Sequence, residues 1–101
     1  MSKRLAVITG ATSGIGAAYA RAFARKGYDL LLTGRREQEL TELAEHLRQE
    51  HRVGVTLQLG DLSDPQDRQS LVETIEALPE LDALVNNAGY AEDGRLGEVA
   101  W

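Results

Sequence analysis

Hydrophobic and polar positions along the chain follow two alternating periods. Leu5-Ala6-Val7-Ile8-Thr9 is a short apolar run stopped by Gly10, the pattern of a strand covered on both faces. From Gly14 to Lys26, Ile15, Ala18, Ala22 and Phe23 recur at helical spacing, with Arg21, Arg25 and Lys26 on other faces and Gly27 as a stop. Asp29 to Thr33 reads as a second buried strand, because Gly27 and Gly34 leave too little length for a helix. Residues 36–50 return to helical period through Leu40, Leu43, Ala44 and Leu47, with glutamates and arginines outside. Val53, Val55, Leu57 and Leu59 alternate with Gly54, Thr56 and Gln58 in a third strand. Ser63 or Asp64 suits the cap of the next helix and Pro65 its first turn, and Leu71, Val72, Ile75 and Leu78 form its apolar stripe. Leu81 to Asn86 is a fourth strand.

The order βαβαβαβ implies parallel strands joined by right-handed helical crossovers, hence an open α/β sheet with helices on both faces. Residues 90–101 show little period. A length of 101 residues and 43% hydrophobic composition fit one small globular domain spanning 1–101. Cysteine is absent, which removes disulfides, thiolate metal sites and cysteine nucleophiles. The apolar runs fall far short of the about 20 residues a bilayer requires, and Met1 to Arg4 leads straight into a strand. A soluble, cytoplasmic protein with no membrane partner is the expectation.

Net charge is -5, which argues against a nucleic-acid surface. It is uneven: residues 1–52 carry nine Lys/Arg against six Asp/Glu, and residues 53–101 carry two against ten. An anion site is therefore expected in the first half. Thr9-Gly10-Ala11-Thr12-Ser13-Gly14-Ile15-Gly16 lies there, between the first strand and the first helix. Glycines at 10, 14 and 16 allow a tight turn and close approach of backbone to a pyrophosphate, and a helix start offers N–H groups to an anion. The spacing is G-x-x-x-G-x-G, and glycines at such a turn also serve backbone geometry alone.

Thr9-Gly10-x-x-x-Gly14-Ile15-Gly16 after the first strand, Asp61-Leu62 after the third and Asn86-Asn87-Ala88-Gly89 after the fourth together resemble the short-chain dehydrogenase/reductase signature, in order and in spacing. The resemblance covers residues 3 to about 90. It implies a Rossmann-type doubly wound parallel sheet, incomplete at four strands and three helices, that binds a nicotinamide dinucleotide. It also implies hydride transfer between that nicotinamide and a small carbonyl or alcohol substrate. By the same resemblance Asp61 and Leu62 contact the adenine, Asn87 contacts the adenosine side or supports the sheet, and Ala88 and Gly89 permit close approach of the cofactor. A loop or capping carboxylate at Asp61 and a plain turn at Ala88-Gly89 are the alternatives. Asn86 reads as structural, an amide satisfying strand-end backbone.

Cofactor choice is read at the end of the second strand. An NAD-preferring fold usually places an acid there for the ribose 2′-hydroxyl, which would repel the 2′-phosphate of NADP. The chain has Thr33-Gly34-Arg35-Arg36, with no acid at the tip and two guanidiniums suited to phosphate, and Ser13 can add a hydroxyl. NADP is favoured over NAD; solvated arginines are the alternative, above all for Arg36. His46 and His51 read as surface residues without a metal cluster, and Tyr19, Tyr28 and Tyr90 as core or rim packing.

Catalysis in the resembled family implies a tyrosine acid, a lysine four residues later and a serine that positions the substrate oxygen. The two lysines, Lys3 and Lys26, do not follow a tyrosine at that spacing. The sequence is therefore expected to be the cofactor-binding part of an enzyme with the catalytic half absent, no catalytic residue of its own, and little activity alone. A non-catalytic nucleotide-binding or assembly module is the alternative. Leu84 and Val85 would then lie on a sheet edge with one helix left for the second face, so the chain alone is expected to be marginal or to associate. Dimers and tetramers are common in such families, which keeps a homo-oligomer open.

Overall fold

The computed structural model describes residues 4–78 and 81–86. Its elements run β1 (Leu5–Thr9), α1 (Gly14–Arg25), β2 (Asp29–Gly34), α2 (Glu37–His51), β3 (Val55–Leu59), α3 (Pro65–Glu76) and β4 (Ala83–Asn86). The strands are parallel, in the order β3-β2-β1-β4. The apolar run of β1 is thus paired on both sides, and Ala6, Val7, Ile8 and Thr9 are each 0% exposed.

Alternation along the strands divides the core. Ala6, Ile8, Leu30 and Leu32 pack on one face against Ala20 and Ala24 of α1 and Leu40, Ala44 and Leu47 of α2. Val7 and Leu31 point the other way, into a smaller cluster with Leu62 and Leu71, flanked by Ile75, Leu78 and Leu81. Two helices cover one face and α3 covers the other, the doubly wound α/β arrangement that the element order predicts.

Helix α1 differs from its predicted face. Ile15, Ala18 and Ala22 are exposed, Phe23 is half-buried, and the buried positions are Gly16, Ala20 and Ala24. Small residues are required there because the helix starts against the turn after β1. A Cβ on Gly16 would stand 2.1 Å from the Gly10 carbonyl oxygen. Phe23 instead meets Tyr28 edge to face at a centroid distance of 4.9 Å, and Arg4 lies over the Tyr28 ring.

Element ends shift by a residue or two from the sequence reading. Arg36 is the N-cap of α2 rather than its first helical residue, and Arg52 closes that helix in the left-handed region at φ 57. β3 starts at Val55 instead of Val53, because the Gly54 N–H is taken by the Asp29 carboxylate at 2.8 Å. Val53 stays buried all the same. β2 continues to Gly34, whose carbonyl accepts from the Gly60 N–H. β4 begins at Ala83, and Asp82 before it meets Leu5 twice, its N–H donating to the Leu5 carbonyl at 3.0 Å and its carboxylate accepting from the Leu5 N–H at 2.8 Å. Of the two expected caps for α3, Asp64 takes the role, accepting from the Gln66 N–H at 2.8 Å. Among the described residues β4 ends the sheet, as the sequence reading expects, with Leu84 38% exposed.

Candidate functional site

The carboxyl ends of β1, β2 and β3 open into a cavity of about 510 Å³. In an open parallel sheet this is the end where ligands gather. The turn after β1 supplies Gly10, Thr12 and Ser13; β2 and its exit supply Thr33, Gly34, Arg35 and Arg36; the segment after β3 supplies Gly60, Asp61, Leu62 and Ser63. Of the sequence-predicted residues, Gly10, Thr12, Ser13, Arg35, Arg36, Asp61 and Leu62 therefore come together. Gly14 and Gly16 lie in the first turn of α1, and Asn87, Ala88 and Gly89 fall outside the described residues.

Each wall has its own cause. Gly10 adopts φ 61, a conformation that side chains with a Cβ disfavour, and this reverses the chain out of β1. The turn is fastened to β2 by the Ala11 N–H donating to the Thr33 carbonyl at 3.0 Å. Ser13 caps α1: its hydroxyl donates to the Gly10 carbonyl at 3.0 Å and accepts from the Gly16 N–H at 3.1 Å. Gly14 has nothing within 4 Å of where a Cβ would stand, so open space lies beside the start of the helix. Ile15 is 64% exposed. A helix start bordered by open space suits an anion, because its first N–H groups have no partner within the helix.

Arg35 and Arg36 form the cationic rim, both exposed. Arg36 turns toward Glu39, with Nη1 3.4 Å from a carboxylate oxygen, so part of its charge is engaged. Across the cavity the Asp61 carboxylate accepts from the Ser63 hydroxyl at 2.7 Å and the Ser63 N–H at 2.9 Å. These bonds hold the Asp61 carboxyl below its ordinary range, with a smaller contribution from the Arg35 charge. Its depressed pKa means that this turn is intact above the ordinary carboxylate range and loosens only as pH falls through the lowered value. Asn86 Oδ1 accepts from the Thr9 hydroxyl at 3.1 Å, which ties the ends of β1 and β4 together through a side chain rather than through the strand-end backbone expected for it.

Thr33, Gly34, Gly60 and Ser63 also line the cavity but were not among the predicted site residues. Glycine at strand ends and Ser two residues after Asp are the signals that would have pointed to three of them. Thr33 carries no such signal. It is 1% exposed and its hydroxyl has no hydrogen-bond partner. A buried unsatisfied hydroxyl costs about 1–3 kcal/mol. Thr33→Val keeps the branched shape and is expected to raise the melting midpoint by several degrees in the ligand-free protein. A thermal melt with an unchanged or lower midpoint would show that the hydroxyl finds a partner.

The histidines divide. His46 is exposed and pairs with Glu50 at 2.6 Å, whereas the His51 side chain is 18% exposed, more covered than the surface position expected for it. Among the described residues no group of three or more His, Cys, Asp and Glu is placed to hold a metal ion. Tyr19 is 46% exposed, Tyr28 is half-buried, and Tyr90 lies outside the described residues. No helix among the described residues is long and apolar enough to cross a membrane.

A family model described as short chain dehydrogenase matches residues 4–100. Sulfoacetaldehyde reductase 2 of Chromohalobacter salexigens is 51% identical over 88 residues, a match that covers 86% of this chain and 34% of that protein. Among solved structures, a short-chain dehydrogenase from Sphingobium yanoikuyae in complex with NADPH superposes with a TM-score of 0.82 at 42% identity, covering 85% of this chain and 34% of that one. An alcohol dehydrogenase from Thermococcus sibiricus complexed with 5-hydroxy-NADP gives 0.79 at 39%, covering 87% and 38%. The chain thus spans about a third of the length of the relatives it matches.

Proposed function

The chain belongs to the short-chain dehydrogenase family, and from that premise we propose that it is the dinucleotide-binding part of an NADP-dependent oxidoreductase. The bound cofactor would carry the hydride, given to a carbonyl by its reduced form or taken from an alcohol by its oxidised form. The described residues contribute binding and orientation. Gly10 and the first turn of α1 hold the pyrophosphate, Arg35 and Arg36 hold the 2′-phosphate, and Asp61 and Leu62 contact the adenine. Asn87, Ala88 and Gly89 are assigned to the same cofactor by their motif. Tyrosine, lysine and serine of the catalytic step are assigned to sequence outside this chain, so the chain by itself is proposed to bind without turning over.

The observation that carries this reading is the pairing of Arg35 and Arg36 with an acid-free β2 end on the rim of the 510 Å³ cavity. An acid there would select the 2′-hydroxyl of NAD; guanidiniums offer charge-assisted donors to phosphate. Two of the superposed structures named above hold NADPH or an NADP analogue, which supports the same choice. Calorimetric titration of NADP and NAD is the test. Tighter NADP binding is expected, and equal affinities would overturn the assignment.

The second reading, a nucleotide-binding or assembly module that pairs through its sheet, is favoured by β4 at the end of the described sheet and the exposure of Leu84. Size-exclusion chromatography separates the two. Association at micromolar concentration with no dehydrogenase activity at the protein's natural length favours the module.

A further inference from the structure

The segment that carries Asp61 and Leu62 is gripped from behind by the first turn of α3, through two neighbouring side chains of opposite charge. Asp67 is the third residue of that helix, counted from its cap Asp64. An acid at this place commonly reaches back to the N–H of the cap residue. Here Asp67 reaches further, and its Oδ2 accepts from the Asp61 N–H at 2.8 Å. Arg68, next in sequence, donates through Nη1 to the Leu62 carbonyl at 3.1 Å and the Ser63 carbonyl at 3.4 Å. An anion takes the segment's amide and a cation takes its carbonyls.

Packing makes the grip firm. A Cβ on Gly60 would stand 3.4 Å from both Cβ and Cγ of Asp67, so the aspartate lies against the backbone just before Asp61. The helix is anchored in turn by Leu71, 1% exposed, in the cluster with Val7, Leu31 and Leu62. The Asp61 side chain is folded onto Ser63. The Asp61-Leu62 wall is therefore held from behind by α3, a helix that contributes no residue to the cavity lining, while the Gly60 N–H fastens its start to the Gly34 carbonyl.

We propose that Asp67 is a positioning residue for adenine-nucleotide recognition: by holding the Asp61 amide it fixes the wall against which the adenine side of the ligand rests. The inference rests on the reading of the cavity as a dinucleotide site. The bland role for Asp67, an acid favouring a helix N-terminus through its charge alone, makes a different prediction. Asparagine keeps the acceptor oxygen and loses the charge; alanine loses both.

The experiment titrates AMP, NAD, NADP and inorganic pyrophosphate into the protein at its natural length and into Asp67→Ala and Asp67→Asn, with melting midpoints alongside. In Asp67→Ala, AMP, NAD and NADP are expected to weaken by a common factor of about five to ten, the loss of one well-made hydrogen bond. The NADP-to-NAD ratio and the affinity for pyrophosphate, which needs only the glycine turn, stay as in the parent. Asp67→Asn restores most of the loss. AMP binding within twofold of the parent in Asp67→Ala, no recovery in Asp67→Asn, or an equal loss for pyrophosphate would each overturn the proposal. Should the alanine variant not fold, Asp67→Glu carries the comparison. It retains charge near the helix start, and its extra methylene moves the carboxylate away from the place where Asp67 meets the Asp61 N–H at 2.8 Å. The selective loss for AMP is expected there too, and parent-like AMP binding overturns the proposal. A parent that binds none of the adenine nucleotides overturns the functional reading itself, before any variant is compared.

Discussion

Gly16→Ala is expected to destabilise the fold by about 3 kcal/mol and to lower the melting midpoint by more than about 10 °C. The added methyl would stand 2.1 Å from the Gly10 carbonyl oxygen, 2.9 Å from the Gly10 carbonyl carbon and 3.0 Å from the Ala11 Cα. All three atoms are backbone, so no flexible side chain can yield. Alanine gains up to about 1 kcal/mol over glycine inside a helix, too little to offset driving α1 away from β1. Gly14→Ala is the control, with nothing within 4 Å of its added Cβ. It is expected to melt at or slightly above the parent temperature and to lose affinity for dinucleotide, whose phosphates are proposed to occupy that open space. A Gly16→Ala protein that melts with the parent would refute the close approach. Together the two separate a glycine required by the fold from one required by the ligand.

Arg35→Ala is expected to weaken NADP by about 10- to 100-fold and NAD by less than about threefold, as follows from losing charge-assisted hydrogen bonds to a phosphate that only NADP carries. Arg36→Ala is expected to cost less, because that guanidinium is already turned to Glu39 at 3.4 Å. Both losses should shrink as salt is raised, since both arginines are exposed. Parallel weakening of NADP and NAD by Arg35→Ala, measured by calorimetry, would place Arg35 outside the 2′-phosphate site.

The succession of strands and helices was legible because apolar runs of strand length alternate with helical stripes and are punctuated by glycine. Gly10 and Gly27 do adopt positive φ where the chain turns. The face of α1 was not legible. Spacing marks Ile15 as core, yet the face that meets the sheet is chosen by how close the backbones come, and Gly16, Ala20 and Ala24 answer that requirement by being small. The start of β3 was not legible because the Asp29 carboxylate takes the Gly54 N–H from the ladder. In the candidate site, motif residues from three strand ends did converge. What holds them did not show in the sequence: the Asp67 contact spans six residues and depends on where α3 begins.

The strand order also dictates a schedule for making this protein. β1 lies between β2 and β4, and its partners arrive far apart in synthesis: Leu5 meets Asp29 on one side, and Thr9 meets Asn86 on the other. A chain emerging from its amino end can complete the β1-β2 pair and cover it with α1 early. The second edge of β1 stays bare until residue 86 has been made, and pairing across such a separation is intrinsically slow. For that interval the most apolar strand of the sheet is a template for any extended chain nearby. Yield in the cell should therefore respond to chaperone supply and to translation rate between β3 and β4.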